Sequence, residues 1–115
     1  MTKSEMVAML RAGQIEEWNT WRNENWDISI NLDDADLSGA SLSGVNLFRA
    51  SLCRTDLSGA DCSYANFSEA DLPRANLRGA NFYFANLGMA SLYQADFSEA
   101  NFSWAIIYKA GIAPG

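Results

Sequence analysis

The sequence predicts an all-β solenoid closed at one end by a small helical cap, and three observations carry that prediction. From residue 30 to residue 110 every alanine falls at a position divisible by five. A period of five fits neither a helix at 3.6 nor a strand at 2. Within each unit the apolar residues stand two apart, whereas residues 1–29 lack the rhythm and hold helix signals instead.

The cap comes first along the chain. Thr2 and Glu5 have the T-x-x-E spacing of a capping box that opens a helix. Met6, Val7, Met9 and Leu10 are its apolar residues, and Gly13 is its stop. "QIEEWNTWRNEN" then reads as a second helix, with Ile15, Trp18 and Trp21 three apart and Trp26 beyond it. The tryptophans are expected to pack on the first coil around Leu32 and Leu37 rather than to form a ligand platform.

Residues 30–110 divide into sixteen pentapeptides, beginning with "INLDD". Thirteen first positions are Ala, the exceptions being Ile30, Val45 and Thr55. Fifteen second positions are Asn, Asp or Ser, and Ile106 is the departure. The third is Leu ten times and Phe four times, then Cys62 and Ile107. In an extended backbone positions one and three share a face, so a narrow interior takes Ala and a wider centre takes Leu or Phe. Positions four and five turn a corner, and the second-position side chain can hydrogen-bond it. Gly at position five suits a type II turn, which needs φ > 0 there; Arg, Glu, Tyr or Trp at that place predicts type I or irregular corners.

This A(D/N)LXX pattern resembles the pentapeptide-repeat family over about seventy per cent of the chain. The resemblance implies a right-handed quadrilateral β-helix with four pentapeptides per coil, hence about four coils. "EWNTWR" is similar to helical N-terminal caps of some bacterial, notably cyanobacterial, members. The resulting division is a helical cap at 1–29, the β-helix at 30–110 and a tail at 111–115.

Composition narrows the function. The chain has 115 residues, a formal charge of −6 and no histidine, which removes the commonest general base and metal ligand. Two cysteines cannot supply a four-ligand zinc site. Cys62 is a core residue by register and Cys53 an outward one, so they do not suit a disulfide. No metal, cofactor or catalytic residue is expected, and the acidic balance disfavours direct nucleic-acid binding. There is neither a secretory signal nor a run long enough to cross a bilayer, so a cytoplasmic protein is expected.

The expected role is a non-catalytic interaction or scaffold module with an unidentified protein partner. Reading every fourth pentapeptide places Tyr64, Phe84 and Trp104 in one column, with Tyr83 alongside and Phe48 and Met89 on the adjoining side. That column can be a stabilising stack or a partner surface. The last coil, with Phe97, Phe102 and Ile107 inward, shows no lid within the chain, and some family members dimerise there. Ile106, Ile107 and Ile112 are therefore a candidate self-association end, unless Ile112 and the tail fold over it. The alternative function, also implied by the resemblance, is an acidic DNA mimic acting on a type II topoisomerase. Outward charge opposes it: beyond position-two carboxylates, four acids face five bases.

Overall fold

The structure is a computed structural model and describes residues 1–111. Helix α1 spans Lys3–Arg11 and α2 spans Ile15–Glu24. The capping box forms in full: the Glu5 amide donates to Thr2 Oγ1 at 3.1 Å, and the Thr2 amide to Glu5 Oε1 at 2.8 Å. Gly13 follows the helix with φ +71°, a left-handed stop.

The remainder is a right-handed quadrilateral β-helix. Each second-position residue makes a parallel bridge to the residue twenty further on, from Asn31 with Ser51 to Ser91 with Gly111. Four pentapeptides thus close one coil, and coils rise by about 4.8 Å. Third-position side chains from Leu32 to Leu92 are buried, and the first-position alanines beside them fill the corners. Thr55 replaces one such alanine and satisfies its hydroxyl by donating to the Leu32 carbonyl at 2.7 Å. Phe82 stacks on Phe102 with centroids 5.1 Å apart, so the widest residues sit one above another.

The corners differ from the sequence expectation. All sixteen fifth positions have positive φ, between +56° and +75°, and twelve of them are not glycine. Type I corners, with φ near −90° at that residue, are therefore not used at Arg49, Glu69, Tyr64 or Trp104. At the twelve fifth positions from Asp34 to Met89 the stack supports this turn. The fifth-position amide donates to a carbonyl of the next coil, as Glu69 does to Gly88 at 2.9 Å. A corner turned the other way would forfeit that bond, and it outweighs about 1–2 kcal/mol of left-handed strain.

The stack also has a direction. Leu57 and Gly59 both send their amides forward, to the Asn76 and Arg78 carbonyls, whereas Asn76 sends one back to Thr55. Two donors per pentapeptide point toward the C-terminus and one points away. The first coil is consequently rich in unclaimed carbonyls, and side chains of the cap claim them. Lys3 donates to Asp33, Arg11 to Asp36 at 2.8 Å, Trp18 to Asn46 at 2.8 Å and Asn19 to Gly44 at 3.0 Å.

Trp18 and Arg22 face the coil and are buried at 0% and 3% exposure. Arg22 donates to the Asn25 and Ile28 carbonyls at 2.9 and 3.0 Å and reaches that of Phe48 at 3.5 Å. Its Nε has no partner, and burial lowers its pKa. Trp21 packs partly on the core beside Trp18, but Trp26 is 74% exposed. The expectation that Trp26 packs around Leu32 and Leu37 is thus corrected: it lies beyond the end of α2, past the last residue that faces the coil.

Candidate functional site

The corners set what reaches solvent. Positions four and five project outward at 20-residue intervals, so each face carries columns of like-placed side chains. On one face the Tyr64, Phe84 and Trp104 rings form a stack. Tyr64 and Phe84 are 5.6 Å apart and 10° from parallel, and Phe84 and Trp104 are 6.0 Å and 15°. Tyr83 meets Tyr64 and Phe84 edge-on at 5.8 and 4.8 Å. Tyr64, Phe84 and Trp104 remain 60%, 47% and 75% exposed, so stacking leaves much of each ring in water.

Met89 and Phe48 do not join this group. Met89 is exposed on the next side, while Phe48 stands in the first coil, two coils from Met89, with the Arg49 guanidinium over its ring at 4.9 Å. The rings that meet do so because register places them twenty residues apart. Phe48 and Met89 share no such spacing.

Three pairs of outward charged side chains face one another across neighbouring coils. Asp34 receives Arg54 at 2.7 and 3.1 Å, which holds its carboxyl below the ordinary range and raises the Arg54 pKa. Arg49 approaches Glu69, and Arg78 approaches Glu99, each at 3.5 Å. Arg74 donates to Gln94 at 3.0 Å, so Arg54 and Arg74, twenty residues apart, turn toward different partners. Asp36, Asp56, Asp61 and Asp96 each accept from the serine two residues on. Asp71 departs from the expected local bond, because Pro73 at its fourth position has no amide to give.

Cys62 is fully buried, and burial pushes its thiol pKa far up, which makes it unreactive. Cys53 is partly exposed, with its amide held by Asp33 at 2.9 Å. Among the described residues no three or more His, Cys, Asp or Glu are grouped to hold a metal.

Among the described residues, no side chain closes the interior at the C-terminal end. Phe97 and Ile107 are 42% and 59% exposed although their side chains point inward, because no coil lies above them among the described residues. With Leu92, Phe102 and Ala110 they line a depression of about 210 Å³. Ile106 is exposed beside it, and Ile112 lies outside the described residues.

Comparison with known proteins adds to this geometry. The family model described as pentapeptide repeats matches eight copies over residues 30–61, 60–98 and 75–110. The chain belongs to the pentapeptide-repeat family. Among solved structures this pentapeptide-repeat protein is similar to Rfr23 from the cyanobacterium Cyanothece 51142, at 34% identity and a TM-score of 0.71. That match covers 72% of this chain and 56% of Rfr23, so the chain spans little more than half of that relative. It is also similar to alr5209 of Nostoc PCC 7120, at 28% identity and a TM-score of 0.47, over 82% and 72% of the two chains. HetL of Nostoc, a protein involved in heterocyst differentiation regulation, matches at 34% identity and a TM-score of 0.36, over 67% and 38%. No curated protein sequence matches this pentapeptide-repeat protein.

The sequence missed the cap's polar work. Arg22 gave no sign of burial, although its place four residues after Trp18 puts both on one helix face. That spacing was a usable signal.

Proposed function

We propose that this protein is a non-catalytic interaction module, cytoplasmic in location, that presents its aromatic column to a protein partner. The observation that carries the reading is the exposure of three stacked rings on a rigid face. Stacked, the rings are already ordered, so a partner covering them loses little side-chain entropy on binding. Aromatic clusters of this kind are enriched in interaction surfaces.

The DNA-mimic alternative has weaker support. A phosphate-like surface needs uniform unpaired negative charge along its length. Here Asp34, Glu69 and Glu99 face arginines, and four position-two aspartates are turned to their own serines.

The test compares wild type with a Phe84→Ala/Trp104→Ala variant. Thermal unfolding and affinity capture from an extract of the source organism are read together. The proposal expects a captured protein to be lost while the variant still unfolds cooperatively. Lost thermal stability with unchanged capture would assign the column to stacking alone.

A further inference from the structure

The turn that follows α2 exposes apolar surface. Trp26 and Ile28 are 74% and 46% exposed, and the Trp26 N–H has no acceptor among the described residues. The turn is nevertheless fastened to the helix. Ile28 donates its amide to the Asn25 carbonyl at 3.1 Å, and Asn25 Nδ2 donates to the Trp21 carbonyl at 2.8 Å. Arg22 donates to the carbonyls of both Asn25 and Ile28. Buried Arg22 is thus the staple that presents Trp26 and Ile28 at the end of α2. Along the helix, Trp21 lines a depression of about 410 Å³ with Glu16, Glu17, Thr20 and Glu24.

The charge around this apolar surface is of one sign. Glu16, Glu17, Glu24 and Asp27 are exposed, and none of them makes an ion pair among the described residues. In the β-helix, by contrast, Asp34, Glu69 and Glu99 each face an arginine. The cations of the cap leave its acids unneutralised, because Lys3, Arg11 and Arg22 donate to first-coil carbonyls. We propose that this surface docks a segment of another protein in which arginine or lysine flanks apolar side chains. The apolar residues of the segment cover Trp26 and Ile28, and its cations meet Glu17, Glu24 and Asp27. An arginine suits this place best, since its planar group stacks on an indole while it bonds a carboxylate.

Three observations select that occupant. First, the carboxylate rim repels nucleic acid and anionic lipid and attracts a cationic chain. Second, a second copy has little to offer it. Seven of the eight cations already face carbonyl, carboxylate or amide oxygens, and Lys109 lies over the Tyr108 ring at 5.4 Å. Two copies meeting at this surface would bring like charges together. Third, the stapled turn holds its exposed indole in place, so docking orders little further backbone.

The inference extends the interaction-module reading to a surface separate from the aromatic column, so the two fail separately. The probes are three ten-residue peptides in which Leu alternates with Arg, with Gln or with Glu, titrated into the full chain by calorimetry. The Arg peptide is expected to bind at least tenfold tighter than the Gln peptide, and the Glu peptide to give no heat. Trp26→Ala is expected to weaken the Arg peptide at least tenfold without shifting the thermal midpoint, because Trp26 is already 74% exposed. A Glu24→Gln/Asp27→Asn variant is expected to bring the Arg peptide toward the affinity of the Gln peptide. Phe84→Ala is expected to leave peptide affinity unchanged, which separates this surface from the aromatic column. Equal binding of the Arg and Gln peptides overturns the proposal, as does no heat from the Arg peptide at millimolar concentration. Unchanged affinity in Trp26→Ala overturns it too. A sedimenting dimer that Trp26→Ala dissociates and the Arg peptide does not compete with assigns the surface to a second copy, and likewise overturns it.

Discussion

The indole Nε1 of Trp18 donates to the carbonyl of Asn46 at 2.8 Å, a place that backbone amides fill in every later coil. One coil on, Leu47 donates to Asn66 at 2.8 Å, and next Phe67 donates to Asn86 at 2.7 Å. Trp18 is thus a side-chain substitute for a missing strand. Trp18→Phe keeps a buried ring and removes the donor. The expected cost is about 1–3 kcal/mol, the penalty of a buried carbonyl left unbonded. Urea unfolding measures it, and an unchanged midpoint would mean that water reaches Asn46.

The uniform corner predicts opposite outcomes for opposite substitutions. Gly59 has φ +65°, and a Cβ built on it meets nothing within 4 Å. Gly59→Ala therefore adds backbone strain without a clash and should cost about 0.5–1 kcal/mol, the strain less the unfolded-state entropy that alanine removes. Glu69, at φ +57°, carries that strain already. Glu69→Gly should gain about 0.5–1 kcal/mol, the relief of strain less the unfolded-state entropy of glycine. Its 3.5 Å pair with Arg49 is exposed and contributes little. Matched thermal midpoints for the two variants would contradict the shared geometry.

Acid should loosen the protein in a defined window. Glu5 is held below the usual carboxylate range by the Thr2 amide, Asp34 by Arg54, and Asp36 and Asp96 by Ser38 and Ser98. A carboxyl lowered in the folded state adds stability above its unfolded pKa, about 3.9–4.3, and loses it as pH falls through the folded value. The thermal midpoint should stay level from pH 7 to about pH 5 and decline below about pH 4. A midpoint that rises on acidification reverses the assigned sign.

The pentad made the interior legible. Ala, Leu and Phe repeat because one narrow cross-section repeats, and the 20-residue bridges follow from four such sides. The same register aligns Tyr64, Phe84 and Trp104 from the sequence alone. Its limit is that a local pattern does not encode what the stack imposes. Arg49 and Glu69 have no preference of their own for left-handed φ, and the carbonyls of the next coil hold them there. The cap was less legible for a related reason. Arg22 is buried by carbonyls 3, 6 and 26 residues away, and Trp26 is exposed by where a helix ends.

The 20-residue bridge also limits how such a chain changes length. Insertion or deletion of twenty residues adds or removes one storey and leaves every column in place. A change of five preserves the inward pattern but rotates everything downstream by a quarter turn. Placed between Tyr64 and Phe84, it would set the Tyr64 ring beneath a neighbour from another wall, and the column would be broken although the core is intact. For this architecture the unit of folding is five residues, and the unit of inheritance for a surface is twenty.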